Sequence, residues 1–346
     1  MDDSAPDFFD ADRLGAYLRP YAEGFGSTPT VRRLAGGQSN PTYRVEAGGR
    51  SYALRSKPAP AALLLPSAHQ IEREYRLLDA LAGTEVPVPK VYHLCSDESV
   101  IGRAFYLMDF VDGRVFVDPR LPEIDAAERA ALFDEMNRVI AALHRLDWET
   151  LGLRDYGKTG DYLARQIARW SRQYRASETE RIESMDQLID ALPGALPPSD
   201  ATTLVHGDFR LDNLVFDRDQ PRIVAVLDWE LSTLGSPLAD FAYHCCVWHF
   251  PAGLYRGLSG VPKPDGIPQE ADYRSLYRAR SGHDASAHWD YYIAYNFFRM
   301  AAIVQGIRKR SLEGTAAGAD AEEFGRGARH LADLGWARLQ RILAAD

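Results

Sequence analysis

The sequence predicts an α+β protein in two unequal parts, a small antiparallel-sheet part over residues 1–112 and a larger, mainly helical part over 113–346. Three observations predict it. Short alternating segments joined by glycine-containing turns fill 30–55 and return at 104–108, as expected of a sheet built from hairpins. Beyond Asp112, apolar residues recur at helical spacing in segment after segment. With 346 residues, 46% of them hydrophobic and 26% charged, the chain can bury one large or two medium cores, and it contains no internal repeat or low-complexity tract.

Charge narrows the function classes. A formal charge of -9 and a pI near 5.5 argue against a nucleic-acid partner or an anionic membrane surface, though a local basic groove stays open. The start, Met1-Asp2-Asp3-Ser4, has neither a basic n-region nor an apolar h-region, so no signal peptide is expected. Three cysteines, Cys95, Cys245 and Cys246, cannot build a disulfide framework in so long a chain, which favours the cytoplasm. The apolar stretch 291–307 is broken by Asn296, Arg299 and Gln305 and reads as a core helix, not a membrane span.

In chain order, 11–21 reads as a helix carrying Leu14, Tyr17, Leu18 and Tyr21. Strands are expected at 30–34, 42–46 and 51–55, with a flexible turn at 35–40 and a Gly48-Gly49 turn. The tip residues Gly36, Gly37, Gln38, Ser39 and Asn40 are small and polar, so their backbone N–H groups can approach phosphates closely; the same residues also suit an ordinary hairpin connection. Ser67 is a candidate N-cap for a helix over 68–81, whose Glu72 and Glu74 either stay solvated or reach back to a strand cation. The proline-spaced segment 86–91 reads as an edge, 104–108 as a strand and 109–113 as the exit from it.

The second part opens with a helix over 126–146 ending in His144, which reads as a packing or capping histidine. Helices follow at 161–175 and 180–192, then a proline-rich loop. After the central stretch described next, 229–238 reads as a loop and Asp240 opens a helix over 241–250. That helix holds His244, Cys245, Cys246 and His249, whose spacing fits no zinc pattern and points to core packing. A Gly/Pro-rich loop at 251–268 suits the rim of a substrate site, and helices near 270–280, 287–309 and 321–343 complete the chain.

Between the apolar runs 203–205 and 214–216 lies His206-Gly207-Asp208-Phe209-Arg210-Leu211-Asp212-Asn213, and Asp228 closes a further apolar strand. With these residues in place, the chain resembles the aminoglycoside phosphotransferase-like branch of the protein-kinase-like fold, a two-lobed architecture. Leu54-Arg55, Ile71-Glu72-Arg73-Glu74, the 86–91 segment and Met108-Asp109-Phe110-Val111-Asp112-Gly113 resemble further parts of that family in the right order. The segments 63–69 and 228–235 are similar to the kinase-like domain fused to some acyl-CoA dehydrogenases.

The resemblance implies an ATP- or GTP-dependent phosphotransferase acting on a small-molecule hydroxyl, with a hydroxyacyl-type metabolite a more natural acceptor than an antibiotic. By it, Asp208 orients the hydroxyl and accepts its proton, while Asn213 and Asp228 hold Mg2+. Arg55 would bind phosphate oxygens, positioned by Glu74 in preference to Glu72, while the 36–40 turn covers the triphosphate and the adenine meets backbone groups around Met108 and Phe110. Arg210 would either neutralise charge at the γ-phosphate or make a surface salt bridge. His206 and Asp240 would brace the loop. One departure is that Arg55 stands where the family usually has lysine, with Lys57 on the same strand face as a second candidate.

Other readings stay open: a nucleotide-binding pseudokinase or sensor, or an aminoglycoside- or choline-type kinase. Protein phosphorylation fits less well, because the short segment between Asp228 and Asp240 leaves no room for a peptide-docking activation loop and no Ala-Pro-Glu follows.

Overall fold

The computed structural model describes residues 10–34, 40–58, 71–198, 201–251, 257–284, 286, 288–314 and 327–344. The residues fall into two compact units. One comprises the chain up to Arg114 together with Val215–Asp219 and Val224–Glu230, and the other comprises the remainder.

The first unit is built on a five-stranded antiparallel sheet. Its strands are β1 (Thr30–Arg33), β2 (Thr42–Ala47), β3 (Arg50–Ser56), β4 (Val91–Cys95) and β5 (Phe105–Asp109), in the order β1-β2-β3-β5-β4. The expected hairpins form, and β4 lies at an edge, as the prolines before it require. Helix α1 (Ala11–Leu18) starts on Asp10, whose carboxylate accepts from the N–H groups of Asp12 and Arg13. Leu14 and Leu18 of α1 enter a core with Tyr43, Val45, Tyr52, Leu54, Phe105 and Leu107, the alternate residues of β2, β3 and β5. Each such side chain contributes on the order of 2 kcal/mol of burial.

Helix α2 (Ile71–Leu81) packs against β4 and β5 through a face that includes Leu77, Leu78 and Leu81. The expected cap Ser67 lies outside the described residues. The later segments join this unit by backbone bonds: Arg114 and Phe216 exchange N–H···O bonds of 2.8 Å, and Val226 N–H donates to Pro87 C=O at 2.8 Å.

The second unit is helical: α3 (Ala126–Arg145), α4 (Tyr162–Ser177), α5 (Glu183–Ala191), α6 (Pro237–Cys245), α7 (Glu270–Ser281), α8 (Trp289–Leu312) and α9 (Ala328–Leu343). Helix α8 packs against α4, α5, α6 and α9. It is buried nearly all round, which its aromatic residues Tyr291, Tyr292, Tyr295, Phe297 and Phe298 require. The three polar residues that interrupt it are also buried, and each ties down another backbone segment. Asn296 Nδ2 donates to Ala239 C=O at 2.9 Å, Arg299 Nη2 to Gly207 C=O at 2.6 Å and Gln305 Nε2 to Ser177 C=O at 3.2 Å.

Two short sheets complete the strand list. In this unit β6 (Thr203–Val205) pairs with β9 (Thr233–Gly235), inside what the sequence presents as a plain loop. The other pair is β7 (Leu214–Phe216) with β8 (Ile223–Val226). Helix α6 begins earlier than expected: Ser236 Oγ caps it by accepting Ala239 N–H, and Pro237 occupies its first turn, so Asp240 lies within the helix.

Candidate active site

The 206–213 loop leaves β6 with its backbone fixed. Gly207 has φ +81°, and a Cβ there would stand 2.7 Å from the Leu231 carbonyl oxygen, so no other residue fits without displacing that strand connection. Asp240, in the first turn of α6, grips the loop: one carboxylate oxygen accepts His206 N–H and the other accepts Gly207 N–H, both at 2.8 Å. His144 of α3 approaches the same carboxylate through Nε2 at 3.2 Å, with its Nδ1 on Tyr277 Oη at 2.7 Å. Burial pushes Asp240 up, but His144 and His206 outweigh it and leave the carboxyl below its ordinary range.

Within the loop, Asp208 N–H donates to His206 Nδ1 at 3.1 Å, which assigns the histidine proton to Nε2. Asp208 is then held by its side chain. Asn213 Nδ2 donates to Asp208 C=O at 2.9 Å and to Asp208 Oδ2 at 3.0 Å, while the Tyr243 hydroxyl donates to Oδ1. Because the Asn213 amide NH2 is committed to Asp208, its Oδ1 is the atom presented for other bonding. Arg210 is over half exposed; its Nη2 meets Asp212 Oδ2 at 2.6 Å and its Nε lies 3.7 Å from Asp208 Oδ2.

The strand-rich unit carries the second group. Arg55 of β3 and Glu74 of α2 form an ion pair with Nε 2.9 Å from Oε2, and the Arg55 Nη2 donates to Asp228 Oδ1 at 3.1 Å. Glu230 Oε2 stands 3.6 Å from the same Nη2. The Nε contact is close without being an aligned hydrogen bond, so charge attraction dominates it. Burial opposes the Arg55 charge, but Glu74, Asp228 and Glu230 outweigh it and keep the guanidinium protonated. Burial pushes the Glu74 carboxyl up, with Arg55 pulling the other way.

Lys57 instead pairs with the more exposed Glu72, so the structure separates the two candidate cations and the two candidate glutamates into different pairs. Asp228, at the end of β8, has φ +63°, a left-handed conformation unusual for a residue with a side chain.

Of the remaining candidates, Met108 pairs in β5 with Ala53 and Val91, and Phe110 N–H makes a long 3.4 Å bond to Ser51 C=O with the Arg44 guanidinium 4.6 Å over its ring. Asn40 is buried. Gly36, Gly37, Gln38 and Ser39 lie outside the described residues. The His/Cys group, which the sequence places on one helix to residue 250, outlasts α6, which ends at Cys245, and takes separate partners: His244 Nε2 meets Tyr273 Oη and His249 Nε2 meets Glu270, each at 2.8 Å.

Tyr243, Arg299 and Glu230 were not selected by sequence reasoning. The signal for Arg299 was its place in an otherwise apolar helix. Tyr243 gave none, since an aromatic residue on a buried helix reads as core.

No set of three or more His, Cys, Asp or Glu side chains able to hold a metal ion occurs among the described residues. The amide oxygen of Asn213 and the carboxylate of Asp228 are each a hard oxygen donor of the kind that suits Mg2+, which keeps water and phosphate oxygens in its shell.

A model described as the phosphotransferase enzyme family, APH, matches residues 30–291. Acyl-CoA dehydrogenase family member 10 of Mus musculus is 46% identical over 330 residues, covering 94% of this chain and 31% of that protein. The chain thus spans about a third of that relative's length. A solved structure from Ralstonia eutropha JMP134, assigned to the aminoglycoside phosphotransferases, superposes with a TM-score of 0.88 at 51% identity over 96% of this chain and 99% of that one. A thermostable mutant of APH(4)-Ia in complex with AMP-PNP and hygromycin B shares the fold, with a TM-score of 0.62 at 17% identity over 94% of this chain and 98% of that one.

Proposed function

The chain belongs to the phosphotransferase enzyme family, and we propose that it is a small-molecule kinase that transfers the γ-phosphoryl group of ATP or GTP to a hydroxyl of a hydroxyacyl-type metabolite. The observation that carries the reading is the Asp208 carboxylate, held on both oxygens by Asn213 and Tyr243 on a loop whose backbone Asp240 fixes. Phosphoryl transfer runs through a loose transition state, so a positioned weak base suffices and a strong one is not required. Asp208 orients the acceptor hydroxyl and takes its proton late.

Arg55 binds phosphate oxygens with its guanidinium fork, and Glu74 fixes where that fork stands. Asn213 offers its amide oxygen and Asp228 a carboxylate oxygen to Mg2+, which when bound neutralises charge on the phosphates. Arg210 neutralises charge near the γ-phosphate once it leaves Asp212. Backbone around Met108 and Phe110 receives the base. That APH(4)-Ia is found with AMP-PNP and hygromycin B supports nucleotide and hydroxyl-bearing acceptor as the two ligands. Likeness to an acyl-CoA dehydrogenase family member supports an acyl-bearing acceptor over an aminoglycoside. The free cysteines support the cytoplasm as the setting.

One observation favours a second reading. Arg55 is already paired with Asp228, the residue assigned to magnesium, as a sensor that holds nucleotide without turnover would permit. The test is ADP formation from magnesium-ATP in the presence of a panel of hydroxylated acyl compounds, choline and hygromycin B. Acceptor-dependent turnover with a hydroxyacyl compound supports the kinase, turnover with choline or hygromycin B alone moves the acceptor class, and nucleotide binding without product on any acceptor supports the sensor.

A further inference from the structure

We infer that Tyr243 and Arg299 form a positioning pair that sets the orientation of the Asp208 carboxylate for phosphoryl transfer. The inference rests on the role proposed for Asp208. The Tyr243 hydroxyl, on α6, donates to Asp208 Oδ1, the oxygen that Asn213 leaves untouched. With Oδ2 held by Asn213 at 3.0 Å, the two bonds fix both the direction of the side chain and the rotation of its plane. One lone pair on each oxygen then remains for the acceptor.

The Tyr243 ring is in turn held from α8. The Arg299 guanidinium carbon lies 5.0 Å over the Tyr243 ring centre, and its Nη2 donates to Gly207 C=O at 2.6 Å, in the peptide unit immediately before Asp208. One buried arginine thus touches both the ring that holds the carboxylate and the backbone that carries it. The Trp170 ring of α4 also lies 5.8 Å from the same guanidinium carbon. Burial pushes the Tyr243 phenol well above its ordinary pKa, so it remains a donor at neutral pH. The partner of the Tyr243 hydroxyl is the carboxylate itself, and fixed donors around a reacting group are how orientation is converted into rate.

The experiment uses magnesium-ATP with water as acceptor, following phosphate release from the full chain for Tyr243→Phe, Arg299→Met, Arg299→Lys, Asp208→Asn and the double variant Tyr243→Phe/Asp208→Asn. Tyr243→Phe keeps the ring over Arg299 and deletes one hydroxyl. It is expected to lower kcat roughly 10-fold with the KM for ATP within about two-fold, and to have no further effect in the Asp208→Asn background, because the two act as a unit. Arg299→Lys should retain several-fold more turnover than Arg299→Met. A crystal structure of Tyr243→Phe should show the Asp208 carboxylate rotated away from Asn213.

An unchanged carboxylate in that structure, a loss that appears in KM, or an equal loss with and without Asp208 overturns the inference. Full turnover in Asp208→Asn overturns the role of Asp208 itself. Loss in Asp208→Asn with none in Tyr243→Phe overturns only the positioning pair.

Discussion

Arg55 and Glu74 meet at 2.9 Å with side chains only 11% and 5% exposed, so strand β3 and helix α2 are joined by a buried charge pair. Two charges out of water are a poor source of net stability, but removing one partner strands the other. Arg55→Met is therefore expected to destabilise the fold by about 3 kcal/mol, and Arg55→Met/Glu74→Leu to recover most of that loss. Urea midpoints of the two variants measure it, and equal loss in both would show that the arginine acts through packing. Arg55→Lys can meet Glu74 but gives up the fork that also reaches Asp228, so it is expected to weaken nucleotide binding more than stability.

Asp228 is expected to matter for metal and little for folding. Its side chain is 38% exposed, and Asp228→Ala removes a carboxylate without burying anything new. Under the proposed function, magnesium-dependent turnover should fall by about 100-fold or more, with the melting temperature little changed, because Asp228 would supply one oxygen ligand and its charge to the ion. A magnesium titration of activity in which this variant matches the wild type would remove Asp228 from the metal site.

The loop brace should be costly to lose. Asp240→Ala leaves the N–H groups of His206 and Gly207 and the His144 ring without their carboxylate in a buried setting. A loss of about 3 kcal/mol or more is expected by urea unfolding. Asp240→Asn, which keeps one acceptor oxygen, should lose less.

Acid should weaken the fold through His244. Its burial holds the imidazole neutral and lowers its pKa from 6.5 to about 4. Unfolded, the ring takes a proton near pH 6.5, so between 6.5 and 4 the unfolded chain binds more protons than the folded one, and stability falls as the pH falls. The contribution is complete above 6.5 and declines by about 2 kcal/mol on going down to about pH 5. Urea midpoints at about pH 7 and pH 5 should show that slope in the wild type and a shallower one in His244→Gln.

Most of the sheet was legible because β2 and the start of β3 alternate polar and apolar residues, β5 is a short apolar run, and the Gly48-Gly49 pair marks the turn between β2 and β3. The same rules missed β9: Thr233-Leu234-Gly235 is too short to show a period, and only its pairing with β6 makes it a strand. They also could not foresee that Val215–Asp219 and Val224–Glu230 join the strand-rich unit, since the backbone bonds that bring them there, Phe216 with Arg114 and Val226 with Pro87, have no side-chain signature. In the site, residues whose spacing carries chemistry, such as Asp208 and Asn213, were readable as a set. The residues that hold them were not, because a buried tyrosine or arginine declares its partner only when the helices are packed. The acceptor is illegible for the same reason.

The most direct measurement follows the label from γ-32P-ATP with magnesium into small molecules of a metabolite extract, for the wild type and Asp208→Asn. The proposed function predicts magnesium-dependent labelling of a phosphorylated small molecule by the wild type, reduced at least about 100-fold in the variant, while ATP affinity changes by no more than a few-fold. Nucleotide binding without any labelled product, or equal labelling by both proteins, would contradict it.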